Sequence, residues 1–287
     1  MRLTTRLTGL CLLPALISTA VLAADTGDKS KYSIVNPTPK EQMRPMVSDQ
    51  AMFTLTPYTV DAGHYQLETD LYDYFYTHDK SGGGNTKLNA WSVGRMTIKA
   101  GLCDRVDFGL SFTAYKSSKV ENLITGKTTK TSGFSDLTAQ MKINLWGNEG
   151  GMTALCIVPF VGIPTSQLRN GAGDFDGGIL VPFTWHAPGD FTVCLNTGFD
   201  MYKNSADDMH ATWINGISLR RALCGNLNAY AEVSTRCADE SAPWSAVVNG
   251  GLAYQVTSNL EVNAGLTRQI QGGSLDYNPY LGLSWRF

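Results

Sequence analysis

The stretch "YLGLSWRF" (residues 280–287) decides how the rest of the chain is read. Side chains alternate across an extended strand, so Leu281, Leu283, Trp285 and Phe287 fall on one face and Tyr280, Gly282, Ser284 and Arg286 on the other. One face is apolar with aromatics towards its end; the other mixes small, polar and charged groups. That pairing suits a strand with lipid on one side and a polar interior on the other, and the strand is expected to close a sheet on itself.

The same two-faced pattern recurs upstream. In "YQLETDLYDYFYTH" (65–78) the alternation sets Tyr65, Leu67, Leu71 and Phe75 against Gln66, Glu68, Asp70, Tyr72 and Tyr74. "GFSDLTAQMKINLW" (133–146) sets Leu137, Ala139, Met141, Ile143 and Leu145 against Asp136, Thr138, Gln140, Lys142 and Asn144. Twelve such segments are expected, near 65–78, 87–102, 105–117, 134–146, 151–164, 173–185, 191–203, 210–223, 226–237, 244–256, 259–270 and 277–287. Within the fifth, Pro159 is awkward for a central strand, since proline cannot donate to the ladder.

The connections alternate in length. Short ones fall at 103–105, 146–151, 186–190, 224–226 and 257–259. Between them lie longer polar stretches such as "DKSGGGNTK" (79–87), "KSSKVENLITGKTTKTSG" (116–133) and "NSADDMH" (204–210). An even strand number with short turns at one end and long loops at the other marks an outer-membrane barrel. Each segment is long enough for a tilted span, which takes roughly 9–11 residues. Trp91, Trp146, Trp185, Trp213, Trp244 and Trp285 sit near segment ends, where interfacial girdles form. The expected fold is therefore all-β: a transmembrane antiparallel up-and-down barrel of about 12 strands.

Residues 1–23 read as a secretory signal, with Arg2 and Arg6 before an apolar core and small residues at Val21 and Ala23. Residues 24–64 form a periplasmic segment or a lumen plug, and 65–287 the barrel, in the bacterial outer membrane. Removing the signal lowers the basic residues from 23 to 21 against 25 acidic ones, a charge of −4 that gives no electrostatic case for nucleic acid. The five cysteines beyond Cys11 (Cys103, Cys156, Cys194, Cys224 and Cys237) have no paired spacing, so a metal site is not expected and mostly free thiols are.

Several blocks resemble a family of outer-membrane transporters associated with meta-pathway degradation of phenol and related aromatics. They are "MRPMVSDQ" (43–50), "TPYTVDAGHYQLETDLYDY" (56–74), "LCDRVDFGL" (102–110), "GFSDLTAQMKI" (133–143) and "VPFVGIPT" (158–165). Cys103 stands where the family usually has Thr. The resemblance implies passage of small molecules across the outer membrane. The spacing Tyr280-x-Gly282-x-x-Trp285-x-Phe287 is similar to the C-terminal signal read by the barrel-assembly machinery, which becomes an expected partner together with outer-membrane lipids and a small-molecule solute.

Alternation supplies the candidate lumen wall: Glu68, Asp70, Tyr72, Tyr74, Arg95, Lys99, Asp107, Asp136, Lys142, Asp200, Arg220, Glu232, Glu261 and Arg286. These read either as a mixed-sign channel lining or as ion pairs that fill the lumen. The run Tyr72, Tyr74, Tyr76 reads as an aromatic slide or as packing against the N-terminal segment. "GAGDFDGG" (171–178) lacks the residues of a phosphate or calcium loop and reads as a loop entering a strand. No nucleophile motif or metal-ligand spacing occurs, so neither catalysis nor a cofactor is expected. The expected function is a pore for small molecules, hydrophobic or aromatic ones included. The alternatives are a structural or adhesive barrel with a filled lumen and an outer-membrane lipid-modifying enzyme.

Overall fold

The computed structural model describes residues 28–50, 53–80, 83–166, 176–203, 209–238, 244–272 and 275–287. The expected signal segment and most of "GAGDFDGG" lie outside them. Thirteen strands follow one another: β1 (Tyr65–Asp79), β2 (Thr86–Cys103), β3 (Val106–Asn122), β4 (Thr128–Gly133), β5 (Leu137–Trp146), β6 (Thr153–Ile163), β7 (Asp176–Ala187), β8 (Phe191–Lys203), β9 (Met209–Cys224), β10 (Leu227–Ala238), β11 (Ser245–Thr257), β12 (Leu260–Gln271) and β13 (Asn278–Arg286). β4 and β5 pair with the two halves of β3 and form one broken stave, so the barrel has twelve.

Sequential strands pair antiparallel around the ring, and β1 meets β13 with Gln66 opposite Arg286. The seam ends on the backbone of the last residue. Phe287 N–H donates to Tyr65 O at 2.9 Å, and Tyr65 N–H donates to Phe287 O at 3.1 Å. A sheet surrounded by hydrocarbon has no water to satisfy a free edge, so closure is the condition for spanning.

Alternation then sorts the side chains. Leu281, Trp285, Ile217, Leu252 and Leu266 are exposed on the outer face, whereas Ser284, Ser218, Thr267, Asn263 and Glu261 are buried. Trp146, Trp185 and Trp285 face outward near the short-turn end, and Trp91, Trp213 and Trp244 near the long-loop end. The two aromatic groups match the interfacial girdles of an outer-membrane barrel.

Three local features refine the sequence expectation, the second by bearing out a strand that Pro159 made awkward. The stretch 116–133 is a hairpin rather than a loop: β3 runs on to Asn122 and β4 returns with Lys119 opposite Lys130. Pro159 does sit within β6, facing outward and opposite Ile179 of β7. On its other side the β5–β6 pairing jumps from Gln140–Phe160 to Ile143–Ile157, so the missing donor falls where the ladder is interrupted. The third feature is a bulge in β1, where the pairing steps from Asp70–Gly282 to Tyr72–Leu281. β2 accommodates it with Gly94 at φ 63°, a left-handed conformation that glycine adopts freely.

The bulge flips the faces beyond it. Asp73 turns inward and is fully buried, accepting from Ser92 Oγ at 2.5 Å. Tyr72 is 46 % exposed, and Tyr74 and Tyr76 pack on Tyr277 outside the barrel. The assignment of Tyr72 and Tyr74 to the lumen, and of Tyr76 with them, is thereby corrected: these tyrosines belong to the outer aromatic belt. Phe75, placed outward by straight alternation, instead faces in, with Lys116 Nζ 5.5 Å from its ring centre.

Candidate functional site

The N-terminal segment enters at the short-turn end and lies against inward-facing side chains of the wall. It has little regular structure, a 3-10 turn at Lys40–Gln42 apart. Its backbone groups therefore have few partners of their own and must find them elsewhere. The barrel supplies them. Glu232 of β10 accepts from Phe53 N–H at 2.8 Å and from Thr54 N–H, Asp107 of β3 from Val60 N–H at 2.9 Å, and Glu68 of β1 from Asp49 N–H at 3.1 Å. Asn144 and Gln66 donate to Pro57 O and Val47 O, each at 2.9 Å.

Two ion clusters anchor this segment. In the first, Asp49 receives Lys99 Nζ at 2.5 Å and Lys142 Nζ at 2.7 Å, and Lys99 also reaches Glu68 at 2.8 Å. Thr56 N–H and Oγ1 both donate to the other carboxylate oxygen of Asp49 at 2.7 Å. Burial alone would push the Asp49 carboxyl up, but the ammonium groups of Lys142 and Lys99 outweigh it and hold the group well below the usual carboxylate range. The second cluster lies at the short-turn end around Asp61. Arg44 Nε is 2.9 Å and Arg286 Nη1 3.3 Å from it, and Arg44 reaches Glu149 at 3.1 Å. Burial raises the Asp104 carboxyl in the neighbouring turn, against the lowering effect of Arg44. Tyr58, also on the segment, meets His186 Nε2 at 2.7 Å, and burial pushes its hydroxyl up to about 12.

The fourteen residues named from sequence fall into four groups. Glu68, Lys99, Asp107, Lys142, Glu232 and Arg286 are buried inside the barrel and all hold the N-terminal segment through contacts given above. Asp70 and Arg95 pair with each other, as do Arg220 with Glu261 at 2.6 Å and Asp200 with Arg236 at 2.9 Å. Asp136 sits not on a strand but in the break between β4 and β5, where it accepts from Ser166 N–H at 2.7 Å. Tyr72 and Tyr74 lie outside, as described. Arg44, Asp49 and Asp61, which organise both clusters, were not singled out from sequence. Arg44 and Asp49 do fall within the quoted block 43–50.

Above the segment, towards the long loops, a cavity of about 350 Å³ is bounded by Asp49, Phe53, Arg95, Gln140 and Tyr280. Met96 and Phe112 also line it, although alternation places both on the outer face. They come together where the β3 ladder is thinnest. Regular pairing with β5 ends at Ser111 and with β4 begins at Lys116, and between them Thr113 and Ser135 bridge the gap, with Ser135 N–H donating to Thr113 O at 3.1 Å. The five cysteines are free, and among the described residues no group of His, Cys, Asp and Glu is placed to hold a metal ion.

A closed ring of twelve staves, girdled by aromatics and polar within, defines an outer-membrane β-barrel. The chain belongs to the family described as "Putative MetA-pathway of phenol degradation", whose model matches residues 48–287. Among solved structures it is similar to an outer membrane channel from Pseudomonas putida F1, with a TM-score of 0.58 and 13% identity over 84% of this chain and 100% of that one. It is also similar to the translocator domain of the autotransporter NalP from Neisseria meningitidis (TM-score 0.51, 13% identity, 78% of this chain and 88% of that one). A third likeness is to the NanC porin (TM-score 0.50, 10% identity, 76% and 98%). At these identities the likeness shows the fold. No curated protein matches the chain by sequence.

Proposed function

We propose that this protein is an outer-membrane channel for small molecules, aromatic ones among them, in which the N-terminal segment regulates passage through the lumen. The observation that carries the reading is the cavity between that segment and the wall. It brings polar lumen groups (Arg95, Gln140, Tyr280) together with two apolar residues, Met96 and Phe112, at the thin place in the ladder. Such a mixed lining suits a solute with an apolar ring and a polar substituent. The family's phenol-degradation description and the channels among the structurally similar barrels support the same reading.

The segment is held by ion pairs and by hydrogen bonds to wall side chains, interactions that water can replace once the segment moves. The competing reading, a filled structural barrel, draws on Lys142 and Asp107, both fully buried. Planar-bilayer recording separates the two. A channel gives discrete openings that millimolar phenol reduces. A barrel that stays silent, also after removal of residues 28–58, is a filled scaffold, and that result would overturn the proposal.

A further inference from the structure

On the outer face of β2, β3 and β4, beyond the aromatic belt, the pairing registers bring lysines from three strands together. Lys119 lies opposite Lys130 on one side and Asn89 on the other, and Lys87 lies opposite Glu121. Glu121, which pairs with Lys119 at 2.5 Å, has both Lys87 and Lys130 as electrostatic neighbours, so one carboxylate faces three ammonium groups. Lys127, in the turn between β3 and β4, adds a fourth cation at the tip.

Two features mark this as more than a solvated face. Lys119 and Lys130 are directly opposed, and the single Glu121 carboxylate among three ammonium groups leaves the patch with a net positive charge. Lys119 and Lys130 also stand on a paired hairpin and Lys87 on the strand beside it, so their spacing is fixed by the ladder.

Depth in the membrane identifies the anion. Trp91 and Tyr115 pack at 5.4 Å with tilted rings, and Tyr76 and Tyr277 stack at 5.1 Å, in the outer belt on the long-loop side. Short turns lie on the periplasmic side of such barrels, so this belt marks the outer leaflet. From Tyr115 to Lys119 the strand rises about 13 Å, or about 10 Å along the membrane normal at the usual tilt. That is headgroup depth, where the lipid of the outer leaflet carries phosphates. We propose that Lys87, Lys119 and Lys130 form a docking surface for the phosphate groups of lipopolysaccharide, with the acyl chains lying against the Trp91–Tyr115 belt below.

Binding of fluorescent lipopolysaccharide to the full-length protein in detergent tests this, with folding checked by heat-modifiable mobility. The expectation is that Lys119→Gln/Lys130→Gln binds about thirtyfold more weakly and with a flatter salt dependence. Dephosphorylated lipid should bind the native protein as poorly as lipopolysaccharide binds the variant, and excess inorganic phosphate should not displace the intact lipid. Should the double variant fail to fold, Glu121→Gln serves instead: it frees Lys119 and is expected to tighten binding severalfold. Equal binding by native protein and variant, equal binding of phosphorylated and dephosphorylated lipid, or displacement by inorganic phosphate would each overturn the proposal.

Discussion

Lys142 of β5 donates to Asp49 of the N-terminal segment, 93 positions away along the chain, at 2.7 Å, and the lysine is wholly buried. Lys99 of β2 shares the same carboxylate oxygen at 2.5 Å. One acidic side chain of the segment thus ties two wall ammonium groups to it, Glu68 of the wall supplying a second negative charge beside Lys99. Breaking a buried pair by removing one partner costs about 3–5 kcal/mol, because the charge left behind keeps its desolvation penalty.

Asp49→Asn is accordingly expected to release the segment while leaving the barrel closed. Limited proteolysis should then cut between residues 40 and 60 in the variant at protease levels that spare the native protein. Heat-modifiable mobility should persist in both. Equal resistance to cleavage would show that the ion pairs do not hold the segment.

The pH dependence follows from the same carboxylate. Its pKa is lowered on folding, so the stabilisation is fully present above the unfolded value of about 3.9 and is lost as pH falls through the folded value below it. Attachment of the segment, read by the same proteolysis, should be unchanged from pH 7 to about pH 4.5 and weaken only at stronger acidity. Release near pH 6 would assign the attachment to other groups.

The inner wall from β10 to β13 predicts a packing effect. Tyr230 Oη and Tyr280 Oη meet at 2.7 Å, and Tyr280 also donates to Asn249 Oδ1 at 2.8 Å, over the space that Gly265 leaves open. A Cβ on Gly265 would overlap the Tyr280 hydroxyl. Gly265→Ala should lower barrel stability by about 1–3 kcal/mol, seen as a lower temperature for the mobility shift. An unchanged transition would mean the tyrosines move aside freely.

Phe287 contributes to closure through its backbone and packs its ring on Tyr65 at 5.9 Å and on Trp285 at 4.8 Å. Phe287→Ala keeps the backbone bonds but loses the aromatic terminus. If the ring is read during assembly, the yield of folded protein in outer membranes should fall severalfold while refolding in detergent stays efficient. Equal membrane yields would remove the assembly role.

Most of the barrel was legible because lipid outside and polar groups inside impose a period of two on every stave. Leu281, Trp285 and Phe287 show the pattern at its plainest. The β1 bulge was not, since Asp70, Tyr72 and Tyr74 alternate without a visible break. A signal was present nonetheless: straight alternation would put Asp73 into hydrocarbon, at up to about 3 kcal/mol near its centre. The hairpin at 116–133 was hidden by polar composition, since strands that project beyond the membrane carry no apolar face. The role of Asp49 is a long-range pairing, which local periodicity cannot encode.

On the proposed reading the N-terminal segment controls passage through this barrel. Ser48 of the segment and Ser284 of β13 meet at 2.5 Å between hydroxyl oxygens, a site for a reversible lock. Single-channel conductance of Ser48→Cys/Ser284→Cys, recorded oxidised and then after reductant, reads whether tethering the segment closes the barrel. The expected result is a silent oxidised barrel that gains discrete openings on reduction; equal conductance in the two states would contradict it.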